Sequence, residues 1–183
     1  MIDLGKVNIY GISDTGFDHK SYFKELLEAG IDIIQLRDKD IPDRIFFDLA
    51  AEIKKMADSF NVPMIINDRV DVALALNAAG VHLGDSDLPV EAARRIMPDK
   101  IIGRTCRSFR DLEGLSCWVD YVSVGPIFKS PTKNELEVLS LDEIKLIGDS
   151  GFPQVAIGGI AVSYTHLRAH ETVLDLVCRL LLE

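Results

Sequence analysis

A run of polar and charged residues, Gln35-Leu36-Arg37-Asp38-Lys39, stands where a short apolar segment ends. In an extended strand Gln35, Arg37 and Lys39 share one face, because side chains alternate with a period of two. Arginine offers a planar fork of donors and lysine a mobile point charge, so two such cations suit a diphosphate better than a single anion. The run therefore predicts an anion-binding site at the end of a strand.

More polar groups follow later apolar segments. They are Asn67-Asp68-Arg69, the stretch His82 to Asp87, the stretch Gly125 to Lys133, and Gly158-Gly159-Ile160. Each has an ordinary structural explanation, since aspartates cap helices and a diglycine forms turns. Taken together, cations, carboxylates and a hydroxyl-rich lysine loop predict a diphosphate site with Mg²⁺, which binds a few protein oxygens, waters and substrate phosphate oxygens.

Composition narrows the class of partner. The 183 residues carry 20 basic and 29 acidic side chains, a net charge of −9, which argues against binding to nucleic acid or to an anionic membrane. No segment has the roughly 18 apolar residues of a membrane span, and the N-terminus lacks the apolar core of a signal peptide. Cys106, Cys117 and Cys178 show no paired spacing, which favours reduced thiols in the cytoplasm. We expect small-molecule ligands, and a homo-oligomer stays open.

Short apolar runs alternate with longer helical patterns. Strands are predicted near Val7–Ile12, Ile33–Arg37, Met64–Asn67, Gly80–Leu83, Lys100–Arg104, Tyr121–Gly125 and Val155–Gly158. Helices are predicted near His19–Ala29, Asp43–Phe60, Val70–Ala79, Pro89–Met97, Ser108–Trp118 and Ser140–Ser150. This alternation predicts an α/β fold with a parallel sheet. The first strand lacks the glycine-rich phosphate turn of a doubly wound sheet, so we predict a (β/α)8 TIM-type barrel, in which chemistry sits at the carboxyl ends of the strands.

These motifs resemble the thiamine-phosphate synthase family over roughly Val7 to Ile160. The resemblance rests on QLRDK, IINDR at Ile65–Arg69, GVHLGDSDLP at Gly80–Pro89, GPIFKSPTK at Gly125–Lys133 and AIGGI at Ala156–Ile160. It implies a transferase that joins hydroxymethylpyrimidine diphosphate to thiazole phosphate, giving thiamine phosphate and diphosphate. Magnesium would assist diphosphate departure, and the thiazole nitrogen would attack.

The resemblance also implies residue roles. Substrate contacts are expected from Gln35, Arg37, Lys39, Asn67, Thr105, Ser130, Thr132, Lys133 and Gly159. Asp68 and Asp87 would hold Mg²⁺. Arg37, Lys39 and Lys133 would be the catalytic groups that take up charge as the diphosphate leaves.

Several positions depart from the family pattern. Thr105 stands where a serine is usual and keeps the hydroxyl, whereas Arg107 stands where a histidine is usual. A guanidinium stays protonated and cannot shuttle a proton as histidine does, which argues against the related thiazole tautomerase. Asp85 replaces a common glutamine and Lys129 a usual proline.

The chain departs most after Ile160. From Val162 the sequence is unlike the family and resembles translated sequencing-adapter read-through, and its apolar spacing predicts an amphipathic helix. We therefore expect one barrel domain over residues 1–161, with seven recognisable strands and no eighth β/α unit, followed by a non-family tail over 162–183.

Other functions stay open beside the synthase. One is a thiazole tautomerase-like protein. Another is a barrel aldolase or isomerase with Lys39 or Lys133 as an imine-forming lysine, which needs a lowered lysine pKa. The last is a catalytically impaired barrel that binds only the pyrimidine diphosphate. Borohydride trapping with a carbonyl substrate and separate titration of the two ligands distinguish these functions.

Overall fold

Eight parallel strands form one sheet in the computed structural model, which describes Leu4 and residues 7–115, 117–128, 137–158 and 176–178. The strands are β1 Tyr10–Ile12, β2 Ile33–Leu36, β3 Met64–Asn67, β4 Gly80–Leu83, β5 Ile101–Cys106, β6 Tyr121–Val124, β7 Gln154–Ala156 and β8 Leu176–Cys178. Each strand pairs in parallel with the next strand in the chain. This is the strand order of a TIM-type barrel.

Helices connect most of the consecutive strands, as a parallel sheet requires. They are α1 His19–Glu28, α2 Asp43–Ser59, α3 Val70–Ala75, α4 Val90–Ile96 and α5 Leu141–Gly148, with a 3-10 helix at Phe109–Leu112 between β5 and β6. In α2, Phe46, Ala50, Ile53 and Ala57 are buried at a helical spacing, so one stripe of the helix packs against the sheet. All seven predicted strands are confirmed.

Side chains along each strand point alternately into the barrel and toward the helices, which gives the protein two hydrophobic cores. Ile33 and Ile65 belong to a cluster inside the barrel, together with Tyr10 and Tyr121. The next residues along, among them Ile34 and Ile66, belong to a larger cluster between the sheet and the helices. Successive side chains point to opposite faces of a strand, so residues in the phase of Ile33 point into the barrel. Gln35 is in that phase, which places its amide inside.

Two sequence predictions are wrong. Among the described residues of the predicted helix Ser108–Trp118, the helical part is a 3-10 turn, Phe109–Leu112. Gly114 follows it with a φ of +75°, a left-handed conformation that ends helices. The eighth strand is present rather than missing, and Leu176–Cys178 is extended rather than helical. Its backbone pairs with β7, whose N–H and C=O groups would otherwise form an open edge. The domain boundary near Val162 stays a prediction.

Within the described residues, no helix has both the length and the apolar character needed to cross a bilayer.

Candidate active site

Ser13 fastens the end of β2 to the end of β1. Its N–H donates to the Gln35 carbonyl at 3.1 Å. Its hydroxyl accepts from the Arg37 N–H at 3.1 Å and donates to the Arg37 carbonyl at 3.2 Å. Ser13 is fully buried. Its bonds continue the pairing of β1 with β2 beyond the last residues of the two strands. The backbone that carries Gln35 and Arg37 is therefore fixed.

Arg37 forms an ion pair with Asp14, and only 18% of its side chain is exposed. Burial lowers the pKa of Arg37, whereas the charge of Asp68, followed by those of Asp38 and Asp40, acts to raise it. A guanidinium stays charged in proteins in spite of such a shift. Arg37 is thus a permanent cation whose charge interacts with the Asp68 carboxylate at the end of β3.

Lys39, Asp68 and Asp87 meet at the ends of β2, β3 and β4. The Lys39 ammonium lies 2.8 Å from an Asp68 oxygen, and Asp87 accepts the Gly84 N–H at 2.6 Å. Burial and then a hydrogen bond with Asp87 raise the pKa of Asp68, while Lys39 opposes that rise. Two neighbouring carboxylates repel each other unless a proton or a cation lies between them. The pair is therefore suited to a cation.

The backbone at Asp68 adopts an uncommon conformation. Its φ is +63°, in the left-handed region that residues other than glycine enter rarely. The Asp68 N–H donates to the His82 carbonyl at 2.9 Å, which continues the pairing of Asn67 with His82 between β3 and β4. This bond holds the turn in place and supports the orientation of the carboxylate.

His19 holds the loop that carries the two cations. Its Nε2 lies 2.8 Å from a carboxylate oxygen of Asp38, and both side chains are almost fully buried. The other Asp38 oxygen accepts the Asp40 N–H at 2.9 Å. Because Asp38 stands between Arg37 and Lys39, the first residue of α1 fixes the segment from which both cations project.

Thr105 is in the interior-facing alternation of β5, beside His82 and Ser123. Its Oγ1 is 3.0 Å from His82 Nε2, and the Ser123 hydroxyl is 3.5 Å from it. Gln35, Asn67 and His82 are each at least 92% buried. Polar side chains of β2, β3, β4 and β5 thus converge in the upper layer of the barrel.

The structure brings most of the expected site together. Among the described residues, the expected set at the carboxyl ends of the strands is Gln35, Arg37, Lys39, Asn67, Asp68, Asp87 and Thr105. Ser130, Thr132, Lys133 and Gly159 lie outside the described residues, as does Lys129. Their expected roles stay predictions.

Asp68 and Asp87 could supply two protein ligands to a metal ion. No group of three or more histidine, cysteine, aspartate or glutamate side chains positioned for a metal occurs within the described ranges. Magnesium accepts one or two carboxylates when waters and phosphate oxygens complete its shell. Asp68 and Asp87 fit that ion, because their carboxylate oxygens are suitable metal ligands and a cation relieves the repulsion between them.

Asp85, which departs from the family pattern, is engaged in ion pairs with arginines. One of its oxygens is 2.7 Å from Arg104 and the other 3.6 Å from Arg107. Arg107 and Asp85 both differ from the family pattern, and the two residues form an opposite-charge pair with each other.

Sequence reasoning missed several groups that position the site. They are Tyr10, Ser13, Asp14, His19, Tyr121 and Ser123. For Tyr10, Tyr121 and Ser123 the sequence does contain a signal. The period of two along β1 and β6 places these side chains on the strand face that points into the barrel. The partners of His19 and Asp14 lie on another loop, which spacing does not reveal.

The chain matches the family model described as "Thiamine monophosphate synthase" over residues 9–177. It is 39% identical over 173 residues to the thiamine-phosphate synthase of Caldanaerobacter subterraneus subsp. tengcongensis, covering 91% of this chain and 79% of that protein. It is 42% identical over 157 residues to the thiamine-phosphate synthase of Desulfitobacterium hafniense strain Y51, covering 83% and 75%.

Solved structures show the same likeness. A thiamine phosphate pyrophosphorylase from Pyrococcus furiosus superposes with a TM-score of 0.83 at 31% identity, covering 97% of this chain and 86% of that one. An HpcH/HpaI aldolase from Desulfitobacterium hafniense superposes with a TM-score of 0.63 at 11% identity, covering 96% and 86%. The second likeness shows the barrel fold alone.

Proposed function

The chain belongs to the thiamine monophosphate synthase family, and we propose that it makes thiamine phosphate by joining hydroxymethylpyrimidine diphosphate to thiazole phosphate, the reaction that the sequence resemblance implies. The observation that carries this proposal is the cluster of Arg37, Lys39, Asp68 and Asp87 at one end of the barrel. Two cations beside two carboxylates match a substrate that binds as a diphosphate together with a divalent ion.

The reaction is a displacement at the methylene carbon of the pyrimidine. The carbon–oxygen bond to the diphosphate breaks, its electron pair leaves with the diphosphate, and the thiazole nitrogen forms the new carbon–nitrogen bond. The aminopyrimidine is electron-rich and stabilises positive charge at that carbon. The protein therefore needs no nucleophile of its own, and its main task is to stabilise the leaving group.

Arg37 and Lys39 are suited to that task in different ways. Arg37 is fixed by Asp14 and by the Ser13 link, so it presents charge without reorganising, which is the kind of electrostatic contribution that accelerates reactions most. Lys39 is about half exposed and paired with Asp68. Its flexible stem allows the ammonium to move from the carboxylate to a phosphate oxygen.

Asp68 and Asp87 would hold Mg²⁺. When bound, the ion would supply positive charge to the diphosphate oxygens. The protein's own part is to hold two carboxylates in place, through the left-handed backbone at Asp68 and the Gly84 N–H bond to Asp87. Lys133 is proposed as a further cation on the sequence resemblance alone.

Gln35, Asn67 and Thr105 would bind the pyrimidine ring. All three lie at the interior face below the cation cluster, and Gln35 and Asn67 are buried. Amide and hydroxyl groups recognise an uncharged heterocycle through hydrogen bonds, whereas the charged groups at the rim hold the phosphates.

Free thiols at Cys106 and Cys117 support the expected cytoplasmic location.

Product formation by the full chain tests the proposal. The chain is incubated with both substrates and Mg²⁺, and thiamine phosphate and released diphosphate are measured together. We expect equal amounts of the two, a large loss in Lys39→Met, and no loss in Lys20→Met, whose ammonium pairs with Glu52 on the helices. Diphosphate release without thiamine phosphate would overturn the synthase assignment, and borohydride trapping of a lysine adduct would favour the aldolase.

A further inference from the structure

The imidazole of His19 is carried on the buried face of α1 and contacts the segment that follows β2. His19 lies on the same helix face as the other buried residues of α1, which are Phe23, Leu26 and Leu27. Its Nε2 is 2.8 Å from a carboxylate oxygen of Asp38, and the exposed fractions of the two side chains are 7% and 4%. Packed interiors leave side chains little room to move, so this pair holds the segment at a fixed place beside α1.

The proton in this hydrogen bond comes from the ring. Burial acts to raise the pKa of Asp38, but the Asp40 N–H and the His19 side chain lower it by more, so the carboxyl group is ionised at neutral pH. An ionised carboxylate only accepts, and His19 Nε2 is therefore the donor. The other ring nitrogen, Nδ1, is buried and has no hydrogen-bond partner in the described part of the chain. The polar role of the ring is thus concentrated in one N–H, which a glutamine amide can supply from nearly the same place.

Asp38 stands between the two cations in the sequence, but its side chain lies on the other face of the segment. Leu36 belongs to the core between sheet and helices, and Asp38 follows it at a spacing of two, whereas Arg37 and Lys39 alternate with both. Arg37 and Lys39 each pair with a carboxylate that follows a neighbouring strand, while Asp38 pairs with His19. A carboxylate released from His19 would be one residue away from either cation and could pair with it.

We propose that His19 is a positioning residue for diphosphate binding, because its Nε2–H keeps the Asp38 carboxylate on the helix side and away from Arg37 and Lys39. The proposal rests on the proposed function for its ligand, a diphosphate. Phosphate oxygens and a free carboxylate would compete for the same N–H donors. A new exposed ion pair of this kind would weaken diphosphate binding by up to about fivefold.

Isothermal titration of the full chain with inorganic diphosphate and Mg²⁺ tests the donor. His19→Leu keeps the bulk but has no N–H, and we expect its affinity to fall roughly fivefold. His19→Gln should bind like the wild type, because its amide reaches the place of Nε2, whereas His19→Asn is too short and should lose affinity. Wild-type affinity in His19→Leu, or equal affinities in the glutamine and asparagine variants, would overturn the proposal. The second comparison decides the matter if His19→Leu does not fold.

The charge of Asp38 separates positioning from a role in folding alone. In His19→Leu combined with Asp38→Asn no carboxylate remains to compete, so diphosphate affinity should return toward the wild-type value while the melting temperature stays low. The same loss of affinity with and without the Asp38 charge would reduce His19 to a structural residue. The matched control is Asp120→Ala, which removes the acceptor of the Arg94 and Ile102 N–H groups, each at 2.7 Å, before β6. It should lower the melting temperature and leave diphosphate affinity unchanged.

Binding and product formation, measured on the same preparations, keep this proposal apart from the proposed function. A wild-type chain that binds diphosphate with the expected pattern of variants but makes no thiamine phosphate would refute the synthase function and support the role of His19. A chain that makes thiamine phosphate with equal diphosphate affinity in all His19 variants would do the reverse. A wild-type chain that binds no diphosphate in the presence of Mg²⁺ would contradict both.

Discussion

Lys39 and Asp68 share one ion pair, with 2.8 Å between ammonium and carboxylate. The expected phosphate ligand and the expected metal ligand therefore neutralise each other across the gap between β2 and β3. A phosphate that takes Lys39 leaves Asp68 beside Asp87 without its cation, and the repulsion of the two carboxylates then favours a divalent ion. Binding of a diphosphate and binding of Mg²⁺ should consequently reinforce each other.

The first prediction concerns that coupling. Replacing both Asp68 and Asp87 by asparagine should remove the dependence of diphosphate binding on Mg²⁺ and weaken the Mg²⁺-supported affinity by about tenfold or more. Isothermal titration of inorganic diphosphate, with and without Mg²⁺, measures the effect. Asp85→Asn is the matched control on the same loop, because Asp85 pairs with Arg104 instead. An unchanged Mg²⁺ dependence in the double variant would exclude this metal site.

The second prediction separates charge from ring recognition. Arg37→Lys keeps the charge and loses the bidentate fork, so it should lower turnover more than affinity for the pyrimidine alcohol without phosphates. Gln35→Ala should do the opposite, because Gln35 lies in the barrel interior. Steady-state kinetics and titration with the alcohol test both variants. Equal losses in both measurements would refute the division of roles.

A third prediction concerns the link between the strand ends. Ser13→Ala leaves the Arg37 N–H without its 3.1 Å acceptor, and a buried unpaired donor costs about 1–3 kcal/mol of unfolding free energy. Urea unfolding should show this loss. Ser59→Ala, at an exposed hydroxyl that donates to Met56, should change stability by less than about 0.5 kcal/mol. Equal stability of the two variants would show that the link contributes little.

How far the sequence predicts this fold depends on whether the signal is local. The bounds of β3 and β4 were predicted to the residue, because Pro63 precedes one strand and Gly80 begins the other. The side-chain pairings were not predictable, since residues such as His19 and Asp38 meet only after helix α1 packs on the barrel. The motif residues were found because their types are unusual at strand ends, whereas the Tyr121 hydroxyl, which contacts Tyr10 and His82, belongs to a residue type that also fills ordinary cores.

A fourth prediction concerns pH. Burial acts to raise the pKa of Asp38, but the Asp40 N–H and the His19 side chain outweigh it, so the pKa lies below its ordinary value. A lowered carboxyl pKa stabilises the fold at pH values above the pKa of the unfolded chain, and the stabilisation is lost as pH falls through the lowered value. Asp38→Asn should therefore be less stable than wild type at pH 7, and the difference should shrink toward pH 3.

Urea unfolding at several pH values measures that difference. Asp58→Asn is the control, since Asp58 pairs with Lys54 at the exposed end of α2. A stability difference in Asp38→Asn that stays constant from pH 7 to about pH 3 would contradict the linkage.

The last prediction concerns the tail, whose backbone pairs with β7 through Val155 and Val177. Proline at position 177 has no N–H for the ladder and fixes φ, so Val177→Pro should weaken the pairing and expose the edge of β7. We expect the melting temperature to fall by at least about 3 °C. Val177→Ala keeps the backbone donor and is the matched control, so a larger loss in the proline variant isolates the backbone contribution. If both variants melt with the wild type, the residues after Ile160 add nothing to the barrel and the interpretation of a foreign tail stands. A selective loss in Val177→Pro instead makes the strand a structural part of the domain, and the proposed boundary at Val162 would then have to move.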